Sequence, residues 1–313
     1  MRIVFMGTPE FAIPSLRVLL EHSYSIASVV TAPDKPQGRG QKVASSPVKE
    51  FALQRGLPVL QPERLKSPEF AQAIARLQPD LIIVVAFKIL PPEVFRIPRL
   101  GSFNLHASLL PKYRGAAPIN WAIMEGEEET GVTTFFLQET VDTGSLLLQA
   151  RVRIGKDETA GELHDRLSDL GAQVVLQTVR MIELGNVQPQ LQDESAATMA
   201  PKLFREHCSI DWSKSSQEIH NFVRGLSPSP CAWTTHQGKV LRVYRTSLLE
   251  SSTVVVSSEP GRITDVRPDR ALVGTMNGMI ALEEVQQEGR KRMGIAEFLR
   301  GYPLVVGDRL GDS

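Results

Sequence analysis

Leu81-Ile82-Ile83-Val84-Val85 is apolar at every position, and the fold is decided there. A strand with one wet face alternates apolar and polar residues. A strand apolar throughout is covered on both faces, as in a parallel sheet held between two helix layers. Residues 3–6 form a second run of this kind. Gly7-Thr8-Pro9-Glu10 follows it, with Thr8 expected to cap a helix and Pro9 to occupy its first position. Pro14 falls inside that helical pattern and implies a later start or a kink. Further strands are expected at 25–31, 101–105, 132–137 and 146–154. Helices are expected over 47–55 and 67–77, and another from the capping-box sequence Thr159-Ala160-Gly161-Glu162 to residue 184. Residues 32–47, rich in Gly, Pro, Lys, Arg and Gln, read as a long loop. Strands alternating with helices predict an α/β domain with a doubly wound, mostly parallel sheet over residues 1–188.

After residue 184 the texture changes. The periodicity lapses, and 189–208 read as a linker. Over 209–313, Ser215-Ser216-Gln217-Glu218 caps one short helix. Beyond it, strand-like segments near 232–235, 240–249, 261–266, 271–274 and 279–285 suggest a small β-barrel.

Composition limits what the chain does. Its 313 residues carry 35 Lys and Arg against 35 Asp and Glu, so there is no basic coat, and any nucleic-acid contact must come from a local patch. Two cysteines, Cys208 and Cys231, build neither a disulfide framework nor a four-cysteine zinc site, which favours a reduced, cytoplasmic setting. No apolar run reaches membrane-spanning length, and the N-terminal run is too short for a signal peptide. There is no Walker loop, nucleophile elbow or metal-ligand spacing, and Gly7 is not followed by a dinucleotide fingerprint.

The chemistry concentrates in Phe103-Asn104-Leu105-His106, followed by Ala107-Ser108-Leu109-Leu110-Pro111-Lys112-Tyr113-Arg114-Gly115. Residues two apart on a strand share a face, so Asn104 and His106 project together while Phe103 and Leu105 pack behind. They sit at the carboxyl end of a strand, where open α/β sheets bind ligands. An amide beside an imidazole offers a donor for a developing oxyanion and a group that moves protons near neutral pH. Alone, His106 reads more readily as a satisfied polar strand end than as a catalytic group. Asp142, in Thr140-Val141-Asp142-Thr143-Gly144, reads on its own as a turn former. Placed near His106, its carboxylate would orient the ring and favour its charged form.

These motifs resemble those of the methionyl-tRNA formyltransferase family, within the folate-dependent formyltransferases. The resemblance runs through Gly7-Thr8-Pro9, Gly38-Arg39-Gly40, Asn104-x-His106-x-Ser108-Leu109-Leu110-Pro111, Arg114-Gly115-Ala116-Ala117-Pro118, Asp142-Thr143-Gly144 and Ile210-Asp211-Trp212. It implies a Rossmann-like domain followed by an OB-like, tRNA-binding β-barrel, and a catalytic triad of Asn104, His106 and Asp142. It also implies a folate-binding segment Ser108, Leu109, Leu110 and Pro111. The implied co-substrate is 10-formyltetrahydrofolate with no metal, the acceptor initiator methionyl-tRNA, and the working form a monomer. Phe87-Lys88 stands where Tyr-Gly is expected, and Ser145 where an acidic residue is expected.

Residues 34–49 hold Lys35, Arg39, Lys42 and Lys49 against the single acid Asp34. By composition this is a solvated loop. The resemblance makes it a tRNA contact, with Lys35, Arg39 and Lys42 as the phosphate-facing cations. Arg290-Lys291-Arg292 is a second candidate. A formyltransferase acting on a sugar nucleotide or on glycinamide ribonucleotide would need neither the basic loop nor the second domain. A non-catalytic RNA-binding module would need no proton carrier at a strand end.

Overall fold

The structure is a computed structural model that describes residues 1–37, 42–249 and 259–311. Its contacts divide the chain into two units. The first contains Met1–Gly115, Thr130–Val152 and His164–Ala200, and the second Ala116–Glu129, Arg153–Leu163 and Pro201–Ser313.

The strands of the first part of the chain are β1 (Arg2–Gly7), β2 (Ser25–Val30), β3 (Lys35–Gln37), β4 (Lys42–Ala44), β5 (Val59–Leu60) and β6 (Leu81–Val85). They continue as β7 (Ser102–His106), β8 (Arg114–Gly115), β9 (Glu129–Phe136), β10 (Leu146–Arg153) and β11 (Met199–Ala200). The helices are α1 (Ile13–Glu21), α2 (Pro47–Gln54), α3 (Pro68–Arg76), α4 (Pro92–Phe95), α5 (Pro118–Met124) and α6 (Ala160–Glu183).

The main sheet of unit one runs β10-β9-β7-β6-β1-β2-β5. Strands β5, β2, β1, β6 and β7 pair in parallel, and β9 pairs antiparallel with β7. Numbered along the chain, the five parallel strands lie in the order third, second, first, fourth, fifth. This is the Rossmann-like arrangement, in which the chain reverses its direction of winding at the first strand. The all-apolar run now has its explanation. Val4, Met6, Ile82 and Val84 pack with Phe70, Ile74, Val94 and Phe95 on one face. On the other face, a Cβ added at Gly171 of α6 would meet Leu105 of β7 at 2.6 Å.

Two local expectations change. Thr8 caps no helix: Glu10–Ala12 is a 3-10 turn, and the Thr8 hydroxyl accepts from the Ala32 amide at 3.4 Å. The α-helix starts at Ile13 with Pro14 in its first turn, where a missing N–H leaves no intrahelical bond unmade. The stretch read as a loop over 32–47 contains a small hairpin, β3 against β4, with Lys35 opposite Ala44 and Gln37 opposite Lys42. At its base Lys49 pairs with Asp34, and Gln61 donates to Asp34 Oδ1 and to the Ala32 carbonyl, both at 2.8 Å. These bonds, the one from Lys49 first, hold the Asp34 carboxyl below the usual carboxylate range. Lys49 is thereby a structural cation.

The second unit is antiparallel. It contains α7 (Ser216–Leu226), β12 (Ala232–His236), β13 (Lys239–Leu248), β14 (Ile263–Arg267), β15 (Arg270–Thr275), β16 (Gly278–Gln287), β17 (Met293–Gly294) and α8 (Ile295–Gly301). The sheet runs β12-β13-β16-β15-β14, with β17 on β16. Residues 307–311 join its two ends: Gly307 and Asp308 bond the backbone of Ile263 on β14, and the Gly311 amide donates to Thr235 on β12. The barrel read from the strand spacing is therefore closed by a segment that is not itself a strand. The capping box of Ser215 with Glu218 starts α7 as expected. Ile210-Asp211-Trp212 is structural: Trp212 is in the barrel core and its indole donates to Thr234 at 3.1 Å. Arg292 of the basic run is committed to Glu284 and stacked on Tyr244. Arg290 and Lys291 are exposed.

Candidate active site

β7 presents Asn104 and His106 on one face of the sheet, with Phe103 and Leu105 buried behind them. His106 is 6% exposed, whereas Asn104 is half-buried and reachable. His106 Nε2 lies 2.8 Å from the Tyr113 carbonyl. A carbonyl only accepts, so Nε2 carries a proton, and in the neutral ring the lone pair is on Nδ1. Nδ1 faces Asp142 Oδ2 at 3.8 Å, with both side chains nearly buried. That distance exceeds a hydrogen bond.

Asp142 sits in a left-handed conformation with φ of 58°, which aspartate tolerates better than most residues. Its Oδ2 accepts from the Gly115 amide at 2.9 Å. The loop around it lies tightly on the end of β9, since a Cβ at Gly144 would collide with the Phe136 carbonyl. Thirty-six positions of sequence thus separate two side chains that the fold places side by side.

The segment after β7 is pinned from within. Ser108 Oγ donates to the Lys112 carbonyl at 2.6 Å, and Thr133 Oγ1 donates to the Ser108 carbonyl at 2.6 Å while accepting from the Leu110 amide at 3.1 Å. Gln149 donates to the Leu110 carbonyl at 2.8 Å. Leu110 is buried, while Leu109 and Pro111 are half-buried. What Ser108-Leu109-Leu110-Pro111 offers a ligand is a fixed backbone shape more than a hydroxyl. Phe87 packs half-buried against the α3–α4 side of the core, Lys88 and Ile89 are exposed, and the Ser145 carbonyl accepts from the Phe136 amide.

Gln192, Glu194 and Thr198 complete this site and are not among the residues the sequence singles out, because the segment that carries them has no periodicity or motif. The Gln192 amide donates to the carbonyls of Asp142 and Gly144, both at 2.8 Å. The Arg114 guanidinium, 6% exposed, bonds Gln192 Oε1 and both carboxylate oxygens of Glu194. Glu194 is the main reason the guanidinium holds its proton more tightly than usual, with a smaller contribution from Asp142. Thr198 accepts from the Tyr113 and Arg114 amides through its hydroxyl and carbonyl, and β11 pairs with β8. No periodicity marks these residues. A Gln and a Glu two apart, followed by a Thr, have no signature.

Two of the three cations expected to contact tRNA fall on the small hairpin. Lys35 is exposed on β3 and Lys42 lies on β4, while Arg39 lies outside the described residues. Among the described residues no group of three or more His, Cys, Asp or Glu is arranged to hold a metal ion. No helix among them is long and apolar enough to cross a membrane.

The formyl transferase pattern matches residues 1–179, and the formyl transferase C-terminal domain pattern residues 202–303. A methionyl-tRNA formyltransferase from Chlorobium limicola is 52% identical over 96% of both chains. One from Clostridioides difficile is 45% identical over 99% of this chain and all of its own. The chain belongs to the methionyl-tRNA formyltransferase family. Among solved structures, a Helicobacter canadensis N-formyltransferase in complex with folinic acid and dTDP-3-aminofucose matches at a TM-score of 0.68 and 19% identity, over 90% of this chain and 98% of its own. Aquifex aeolicus HypX in complex with tetrahydrofolic acid matches at 0.65 and 20% identity over 98% of this chain, which spans 50% of that longer one. At those identities the likeness shows the fold. The family assignment rests on the full-length relatives and makes this protein a formyltransferase.

Proposed function

We propose that the protein transfers a formyl group from 10-formyltetrahydrofolate to the methionine amine of initiator methionyl-tRNA, giving N-formylmethionyl-tRNA for translation initiation. The observation that carries this reading is identity of 45–52% over nearly the whole chain, both units included, to proteins of that name. A sugar-nucleotide formyltransferase shares the fold at 19% identity only.

In this reading Asn104, His106 and Asp142 are the catalytic triad. When bound, 10-formyltetrahydrofolate supplies the formyl carbon. The reachable amide of Asn104 donates to the formyl oxygen as negative charge develops there. His106 takes the proton released as the amine bonds to the formyl carbon and delivers it to N10 of the folate as the bond from N10 to that carbon breaks, so that tetrahydrofolate leaves. The Tyr113 carbonyl on Nε2 leaves Nδ1, which faces Asp142, as the basic nitrogen of the neutral ring. Asp142 orients the ring and offsets its charge once protonated. Ser108, Leu109, Leu110 and Pro111 shape the folate side of the pocket. Lys35, Arg39 and Lys42 contact tRNA phosphates. The C-terminal barrel, 209–313 after a linker at 189–208, adds tRNA contacts, and the enzyme works as a cytoplasmic monomer without a metal.

The test is direct. Purified protein, 10-formyltetrahydrofolate and methionyl initiator tRNA should yield N-formylmethionine on hydrolysis of the tRNA ester. No product with that tRNA, together with turnover of an amino-sugar nucleotide, would replace the reading with the sugar one.

A further inference from the structure

Asp142 is held in place by groups that take no part in the chemistry. Its carboxylate has one backbone partner, the Gly115 amide. Its loop is gripped at the two carbonyls either side of Thr143 by a single side-chain amide, Gln192 Nε2, at 2.8 Å each. The other end of that amide, Gln192 Oε1, accepts from Arg114 Nη2 at 2.7 Å and from Nε at 3.2 Å. Arg114 is fixed in turn by two bonds to Glu194, at 2.7 and 2.8 Å. Arg114 also lies between Tyr113, whose carbonyl faces His106, and Gly115, whose amide faces Asp142.

We propose that Gln192 is a positioning residue: through its grip on the Asp142 and Gly144 carbonyls and its tie to Arg114, it sets the distance between Asp142 and His106. The inference rests on the catalytic roles given above to His106 and Asp142. An amide suits the task. It has two N–H donors for two carbonyls and an oxygen for a guanidinium, so one side chain satisfies acceptors on one side and donors on the other. A carboxylate or a lysine at the same position would serve only one of them.

The experiment uses the full chain and three variants: Gln192→Met, Asp142→Asn and the double variant. Methionine has similar length, and Gln192 is only half-buried, so the fold is expected to survive. Gln192→Met should lower kcat by on the order of 10- to 100-fold, as a misplaced catalytic group does, and leave KM for both substrates within about twofold. In the Asp142→Asn background the same substitution should cost little more, since residues acting through one group are non-additive. Independently of turnover, the Gly115 amide should exchange its hydrogen about tenfold faster in Gln192→Met, while Ile83 and Val84 amides in β6 keep their protection. An unchanged kcat, a loss confined to KM, an equal loss in both backgrounds, or an unchanged Gly115 exchange rate would each overturn the proposal. If the wild type forms no N-formylmethionyl-tRNA, the proposed function fails, and the exchange measurement still decides whether Gln192 holds the loop. Glu194→Gln, which weakens the Arg114 tie but spares both carbonyl bonds, should cost no more than about threefold in kcat.

Discussion

His106 and Asp142 face one another but are supported in opposite ways. His106 rides on β7, flanked by β6 and β9, with Phe103 and Leu105 buried beneath it. Its position is set by a ladder of backbone bonds and an apolar layer, so no single neighbouring side chain controls it. Asp142 sits in a turn with left-handed backbone, held by one amide of β8 and by Gln192 from residues 190–200. Those contacts are three polar bonds, each of a kind that contributes about 1 kcal/mol, or roughly 1.5–3 where the acceptor is a carboxylate. One half of the pair is built into the sheet and the other is strapped on. Substitutions near the first should act through chemistry alone, and those near the second through geometry as well.

The comparison is most exposed at its ends. His106→Ala should lower turnover by on the order of 10²- to 10⁴-fold, the range for losing a general acid or base, with the thermal midpoint little changed. Steady-state kinetics beside a melting curve checks this, and near-wild-type turnover removes His106 from the mechanism. Asp142→Asn should cost about 10- to 100-fold through lost orientation and charge and change the shape of the pH–rate profile. A profile superimposable on the wild type would mean that the two side chains do not communicate.

Gly115→Ala probes the strap without touching either side chain. Gly115 has φ of 126°, and an added Cβ would lie 2.6 Å from the Ala200 carbonyl. The strained backbone and the separation of β8 from β11 should cost about 1–3 kcal/mol of stability, with a several-fold drop in kcat, whereas a glycine far from the strap should show no such linkage. Denaturant titration and kinetics on the same samples measure both.

Arg39→Ala, the smallest expected effect, leaves both halves alone. It should raise KM for methionyl-tRNA several-fold and reduce the slope of log affinity against log salt by about one, with KM for the folate unchanged. Kinetics at two salt concentrations decide it. No change in either constant would return the loop to a merely solvated surface.

Much of this protein was legible in the chain itself. Runs apolar at every position, such as Leu81 to Val85, dictate a doubly covered sheet because a wet face would require alternation. The capping boxes at Thr159 and Ser215 mark helix starts because their bonds are local. Asn104 and His106 share a face because strand geometry has a period of two. Other features have no local cause. The two-residue strands β5, β8, β11 and β17 are too short to show a period, and the residues 307–311 that close the barrel carry no strand signature. The approach of Asp142 to His106 and the grip of Gln192 on the Asp142 loop depend on polar contacts between residues 36 and 50 positions apart. Such contacts leave no mark in sequence spacing, since the partners need only complementary polar groups. Which of the chain's many amides and carboxylates meet is decided when the sheet, the turn and the 190–200 segment are brought together by tertiary packing.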